Sequence, residues 1–252
     1  AVKPEAIMPK TRTQSSLSPQ DACAVVIAAG QGTRMRSDLP KILHPLGGLP
    51  MVGHVLEVCR RLGVKRTLVV IGHQAERVRE ALAAYPVEFV LQEEQRGTAH
   101  AVLQAEAAVQ GFTGDVLVVN GDVPLLSDAL VERLLTTHTE SRTLATAVTT
   151  RLADPSGYGR VLRDRRGAFR GIVEEVEATP AQRRVNEINA GIYCFNAPRL
   201  FEALHKVRPS SVKGEFYLPE VLAILLKARA RIATVLADDS REVLGINTRG
   251  EL

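Results

Sequence analysis

The residues best able to do chemistry lie together near the start of the chain. Gly30-Gln31-Gly32-Thr33-Arg34-Met35 follows the apolar run Ala24-Val25-Val26-Ile27-Ala28, and Arg34, Arg36 and Lys41 add positive charge directly after it. A glycine loop after a strand can turn several backbone N–H groups toward one anion, while fixed cations beside it neutralise the charge. The ligand suited to this pattern is a polyphosphate. The string lacks the third glycine of a dinucleotide fingerprint and the Gly-Lys-Ser/Thr ending of a Walker loop. A second polar stretch, Asn120-Gly121-Asp122-Val123-Pro124-Leu125, follows another apolar run. Asp122 reads either as a turn aspartate or as a ligand for Mg²⁺, which takes hard oxygens and commonly needs only one or two protein groups beside substrate phosphates. Gln92 opens a third polar loop that runs through Gly97 and Thr98. Its amide offers a donor and an acceptor, suiting either a base edge or an ordinary loop contact.

The elements that must position these residues alternate. The spacing predicts a helix over 51–62 stopped by Gly63, a strand over 67–71, and a helix over about 74–84 with Val78, Ala81 and Leu82 inward. A strand over 87–91, a helix capped by Thr98 and running to Val109, and a strand over 115–119 follow. Strands alternating with helices of this length indicate parallel βαβ units. Ligands of open parallel sheets sit outside the carboxyl ends of the strands. The segments 30–41, 72–73, 92–98 and 120–125 all lie at such ends, which argues for one nucleotide pocket. From Thr143 onward strands dominate, over 143–147, 160–163, 169–173, 187–195 and 232–236, with a strand-like 243–246. Helices are expected over 197–207 and 218–228. The predicted fold is therefore α/β: a Rossmann-like, mixed, mostly parallel sheet flanked by helices, with a smaller second lobe, which the resemblance named below makes the sugar-binding one. Residues 1–20 read as a disordered leader, with a nucleotide half over about 21–142 and a second half over about 143–247.

Composition excludes several classes. A hydrophobic fraction of 45% and a charged fraction of 24% over 252 residues suit an ordinary soluble domain. Aromatics make up 4%, with no Trp, so no platform exists for stacking bases along a strand, and nucleic-acid binding is not expected. Apolar runs fall far short of a membrane span. The three cysteines, Cys23, Cys59 and Cys194, are widely spaced in apolar segments and read as buried free thiols of a reducing cytoplasm, not as a zinc site.

The string Ala28-Ala29-Gly30, the Gly-x-Gly-Thr-Arg-Met loop, Ser37-Asp38-Leu39-Pro40-Lys41 and His44-Pro45 resemble the signature of the sugar-nucleotide pyrophosphorylases. Within that superfamily they are most similar to the bacterial N-acetylglucosamine-1-phosphate uridylyltransferases. Five further segments recur in the family's order: Gln92 with Gly97-Thr98, Asn120-Gly121-Asp122, Pro155 to Arg160 with Gly171 to Glu174, Glu187 to Gly191, and Gly245-Ile246-Asn247. The resemblance implies that Arg34 and Lys41 act on the phosphates and that Asp122 and Asn247 hold Mg²⁺. It places Ala28, Ala29, Gly30, Gln92, Gly97, Thr98, Asn120, Gly121 and Asp122 at the nucleotide, and Gly159, Glu174, Asn189 and Asn247 at the sugar. Glu174 also reads as the first of a solvated acidic trio with Glu175 and Glu177. Asn120 and Ala190 depart from the family pattern, which commonly has an aromatic and a Thr there.

The implied reaction joins UTP and N-acetylglucosamine-1-phosphate to UDP-N-acetylglucosamine with release of pyrophosphate, in peptidoglycan precursor synthesis. A phosphate monoester is largely dianionic at neutral pH, so the nucleophile needs no general base. The alternatives are a related pyrophosphorylase with another sugar phosphate or base, and a non-catalytic sugar-nucleotide sensor. Full-length relatives carry a β-helix with the acetyltransferase site and form trimers. No hexapeptide period follows Ile224, so an isolated, mainly monomeric domain without acetyl transfer is expected.

Overall fold

The computed structural model describes residues 22–252, and the leader expected over 1–20 lies outside the described residues. In chain order the first half contains β1 (Ala22–Ile27), β2 (Pro45–Leu46), β3 (Leu49–Pro50), α1 (Met51–Arg61), β4 (Arg66–Ile71), α2 (Ala75–Ala81), β5 (Glu88–Leu91), α3 (Thr98–Leu103), β6 (Asp115–Asn120) and α4 (Asp128–Glu140). The second half contains β7 (Ala145–Arg151), β8 (Arg160–Arg163), β9 (Phe169–Val173), α5 (Pro180–Arg183), β10 (Glu187–Asn196), α6 (Ala197–Leu204), α7 (Pro219–Lys227) and β11 (Ile232–Leu236).

β1 sits inside the sheet and organises both layers. Ala24 and Val26 pack with Val52, Val55 and Leu56 of α1, while Cys23 and Val25 pack with Ala99, Ala101 and Val102 of α3. Alternate side chains of a strand point to opposite faces, so an unbroken apolar run is what a strand covered on both sides requires. Burying each valine contributes about 1.5–3 kcal/mol.

The strand order is β11-β7-β10-β6-β1-β4-β5, with the β8–β9 ribbon joined to β10. β6, β1, β4 and β5 run parallel, and β11 runs parallel to β7. β10 is antiparallel to both β6 and β7. That reversal matters for function. The first residues of β10 lie at the edge where its neighbours end, so residues from the second half reach the mouth of the first. The two halves thus share one sheet, and the β8–β9 ribbon with α5 is the part that stands aside.

Several expected boundaries move. The helix after Gly97 ends at Leu103, and a separate 3₁₀ turn covers Ala107–Val109. Thr98 is not its cap: Gly97 holds that position, and the Thr98 hydroxyl instead accepts the Leu218 N–H at 2.9 Å. α2 ends at Ala81, which is exposed, while Val78 and Leu82 are buried. Residues 244–247 form no strand. A 3₁₀ turn over Ser240–Val243 leads into irregular chain, and the Ile246 N–H binds the Asp122 carbonyl at 3.0 Å. The three cysteines are free and buried, and burial pushes the Cys23 and Cys59 thiols up to about 11 and about 12. Among the described residues no helix is long and apolar enough to cross a membrane.

Candidate active site

At the carboxyl ends of β1 and β6 a cleft of about 250 Å³ opens, lined by residues including Ala28, Gly30, Gly32, Arg34, Lys41, Asn120, Asp122 and Asn247. Gly32 takes φ +62°, and a Cβ on it would stand 2.5 Å from the Lys41 Cβ. Glycine there both makes the turn and clears the path of the Lys41 stem across the loop. Gly30 has no such constraint; open space surrounds it. Of the two loop glycines, Gly32 alone is required by the backbone geometry. Arg36 is exposed and is not among the lining residues, so two of the three nearby cations reach the cleft.

The charged groups are knitted together. The Lys41 ammonium pairs with the Asp122 carboxylate and donates to Asn247 Oδ1 at 2.7 Å. Arg34 Nη2 donates to the same oxygen at 2.8 Å. Asn247 is steadied in turn, its backbone N–H donating to Glu251 Oε2 at 2.7 Å and its side-chain amide to the Gly245 carbonyl at 3.0 Å. A Cβ on Gly245 would press within 3.2 Å of both Asp122 oxygens. Two residues far apart in sequence are thus seated side by side by the backbone.

A second part of the site lies beyond β4 and β5. Gly72 is hemmed by Ala29, Gln95 and the Gln92 carbonyl. Ala29 is buried and its carbonyl accepts the His73 N–H at 3.3 Å. Gln92 is 3% exposed, and its side-chain nitrogen lies 3.2 Å from the Gly97 carbonyl and 2.9 Å from His100 Nδ1. Gly97 takes φ +108°, and a Cβ there would meet the Phe216 backbone at 2.5 Å. The loop is pinned from that side by Ala99 N to Phe216 O at 2.9 Å and Phe216 N to Arg96 O at 2.8 Å.

The third part comes from β8, β9 and β10. A Cβ on Gly159 would contact Ile172 at 3.1 Å, Glu174 Oε1 at 3.4 Å and the Asn189 Cβ at 3.6 Å. The Asn189 N–H donates to the Gly159 carbonyl at 2.9 Å, and its side chain bonds the buried Tyr193 hydroxyl. Glu174 is not a solvated acid. Burial first, then Glu177 and Glu215, hold its carboxyl above the usual carboxylate range, with Lys213 opposing. Glu175 pairs instead with the buried Arg160 at 2.6 Å. This cluster joins the cleft through Asn120, whose amide sits against Gly191 in the bulge of β10, two residues past Asn189.

The structure therefore brings Arg34, Lys41, Asn120, Asp122 and Asn247 around one cleft, with Ala28 and Gly30 in its wall and Gly121 bonded to the Ile27 carbonyl behind it. Gly159, Glu174 and Asn189 meet as a group, as do Gln92 and Gly97. Thr98 is the exception in kind, since its hydroxyl is committed to Leu218. Sequence reasoning passed over His100 and Tyr193. Each sits four or eight residues from the group it contacts, on a helix or a bulged strand, where spacing alone gives no sign of the contact.

A glycine loop, two cations and an acidic group at the ends of parallel strands suit the handling of a nucleoside triphosphate. The family of the MobA-like NTP transferase domain matches residues 24–208, and the chain belongs to it. It is a nucleotidyltransferase. Its curated relatives include proteins named Bifunctional protein GlmU. That of Listeria monocytogenes serotype 4a (strain HCC23) is 50% identical over 226 residues, covering 90% of this chain and 49% of the relative. Those of Desulfotalea psychrophila and Syntrophomonas wolfei are 44% and 42% identical, over 90% and 91% of this chain and 67% and 51% of theirs. The chain thus spans about half the length of most of these relatives.

Proposed function

We propose that this chain transfers a uridylyl group, joining UTP to N-acetylglucosamine-1-phosphate with release of pyrophosphate. What supports this most is one continuous path of contacts. Cations and an acid at the phosphate cleft connect through Asn120 and Gly191 to the group formed by Gly159, Asn189 and Glu174. That layout suits a sugar phosphate approaching a nucleotide phosphate from the β10 side. The Glu174 carboxyl has no hydrogen-bond partner among the described residues, leaving an acceptor for sugar hydroxyls. Gln92 stands at the base end.

Mg²⁺ fits the phosphate cleft on the chemistry of the donors. Asp122 and Asn247 each present an oxygen, and both oxygens accept from the single Lys41 ammonium, so they already converge on one positive centre. Asp122 and Asn247 would hold the ion, which supplies charge neutralisation for the reacting phosphates when bound. The chain's own residues do the rest. Gly30 and Gly32 let the triphosphate approach the backbone, and Arg34 and Lys41 offset charge that develops on the departing pyrophosphate. The sugar group holds its phosphate in line with the α-phosphorus. The attacking oxygen is already anionic, so no side chain need take a proton.

The test is to supply UTP with N-acetylglucosamine-1-phosphate and Mg²⁺ and assay pyrophosphate. Each partner is then replaced by another nucleoside triphosphate or another sugar-1-phosphate. Release of pyrophosphate that requires both named substrates supports the reading. Turnover only with a different base or sugar overturns the specificity and leaves the transfer chemistry.

A further inference from the structure

We infer that His100 is a positioning residue that locks the Gln92 amide with its carbonyl oxygen toward the nucleotide base, and so makes the site select uracil over cytosine. This rests on the placing of Gln92 at the base end proposed above.

The orientation of the amide follows from its partners. The Gly97 carbonyl, 3.2 Å away, can only accept, so the atom facing it must be the amide nitrogen. The same nitrogen lies 2.9 Å from His100 Nδ1, which must then present a lone pair. Both N–H bonds of Gln92 are consumed inside the protein. Its carbonyl oxygen has no partner among the described residues, although the residue is 3% exposed. A nearly buried amide with one open acceptor is built to receive a donor. Uracil offers N3–H; cytosine has a lone pair at that ring position. With the oxygen locked outward, uracil gains a hydrogen bond and cytosine meets two opposed lone pairs. The sequence alone allowed Gln92 to serve as donor and acceptor together, and the structure removes the donor.

Cytosine could be read if the amide turned over. That rotation would set the Gln92 oxygen against the Gly97 carbonyl and against Nδ1, two acceptor–acceptor contacts. Gly97 imposes the first whatever residue stands at 100, and His100 imposes the second. Its ring is held for this task. With the lone pair on Nδ1 the ring proton sits on Nε2, the Glu94 backbone is its acceptor, and burial first, then Arg96, keep the pKa below the ordinary value, with Glu94 opposing. Gln104 donates to the His100 carbonyl at 3.1 Å, and its nitrogen lies 3.2 Å from the protonated Nε2, which does not accept from it. Protonation would convert Nδ1 into a donor and remove the objection to the turned amide.

The experiment compares kcat/KM for UTP and CTP in the wild type, His100→Leu, His100→Asn and Gln92→Ala, with UTP and CTP binding followed by calorimetry. Loss of one neutral hydrogen-bond constraint predicts about a tenfold fall in the UTP/CTP ratio for His100→Leu. His100→Asn, whose amide oxygen can stand near the Nδ1 position, should recover most of the ratio. Because the His100 pKa is held down, the wild-type ratio should stay constant through the ordinary imidazole range and fall only at pH below it. It should stay flat in His100→Asn. Titration of phosphates and metal ligands is common to both nucleotides and cancels in the ratio. An unchanged ratio in His100→Leu while Gln92→Ala lowers it overturns the role of His100 and leaves the base site standing. An unchanged ratio in Gln92→Ala removes the base site, and the inference with it.

Discussion

The two ends of the site are held by different forces. At the proposed phosphate end the long, partly exposed side chains of Lys41 and Arg34 satisfy Asp122 and Asn247. At the proposed base and sugar ends, buried or half-buried neutral groups are fixed by backbone: Gln92 by Gly97, Gly97 by Phe216, and Asn189 by Gly159. Ion pairs near solvent gain little and exchange partners readily. Buried neutral hydrogen bonds are costly to leave unmade, so their geometry is set before the ligand arrives. The phosphate end is therefore adaptable and the recognition ends preorganised, an arrangement suited to a reaction whose charge moves while its base and sugar stay in place.

The largest expected effect tests the charged end. Asp122→Ala should lower Mg²⁺-dependent turnover by a hundredfold or more, since it removes charge stabilisation from the reacting phosphates. Its melting temperature should stay close to wild type, because Asp122 makes no core contact. Asn247→Ala should act in the same direction and more weakly, an amide oxygen being the poorer cation ligand. Wild-type turnover in Asp122→Ala would remove this residue from the chemistry.

Next comes the preorganised base end. Gln92→Ala should reduce preference for UTP over CTP by about 1–3 kcal/mol, the range for leaving a buried partner unmatched. The comparison is sharpened if the loss appears in the ratio of kcat/KM for the two nucleotides while Asp122→Ala leaves that ratio alone.

Lys41 joins the two ideas of charge and mobility. Its ammonium occupies the oxygens of Asp122 and Asn247, so a divalent ion must displace it. Lys41→Met should cut turnover, and Lys41→Arg should restore only part of it, a planar fork being a poor substitute for a point charge. The same Lys41→Met change should tighten Mn²⁺ binding several-fold without nucleotide, read by calorimetry or by loss of the free-ion resonance signal. Weaker Mn²⁺ binding in Lys41→Met would mean that the lysine does not compete for that position.

Much of this was legible in the chain, and the exceptions share a cause. β1, β4 and β6 announced themselves because strands covered on both faces must be continuously apolar. Asp122 and Lys41 stood out because each lies in a polar, glycine-bearing stretch directly after such a strand and within the segments that carry the family resemblance. α4 escaped the sequence reading although Ser127 caps it through the Leu130 N–H at 3.1 Å and Leu130, Val131, Leu134 and Leu135 form its inner face. The Thr98 cap failed because tertiary structure claimed its hydroxyl from 120 residues away. Residues 243–246 look like a strand by composition, but the chain there serves to bring Asn247 beside Asp122 through the Ile246 hydrogen bond. His100 was invisible because its meaning depends on which atom of Gln92 faces it, a matter of three-dimensional orientation.

The smallest effect concerns Glu174, the one acid placed among the neutral groups. It lies beside Gly159, and its charge adds to burial, the main cause, in raising the pKa of the Tyr193 phenol against the Asn189 hydrogen bond. Burial, Glu177 and Glu215 raise its own pKa above the ordinary 4.5, against the pull of Lys213. The native state thus holds this proton to higher pH than the unfolded chain does. Between the two values the native state binds more protons, so stability falls as pH rises, and the loss is complete above the native pKa. Below the ordinary value both states are protonated and no difference remains. Glu174→Gln keeps the shape and removes the titration. It should melt on the order of 2 °C above wild type at pH 8, with the gap closing toward pH 4. It should also weaken binding of the sugar phosphate, because an amide presents one acceptor where the carboxylate presents two. A protein that tolerates this cost at neutral pH keeps the acid for its ligand. Equal melting temperatures across the range would instead place Glu174 in water, and the contrast between an adaptable charged end and a preorganised neutral one would lose its sugar half.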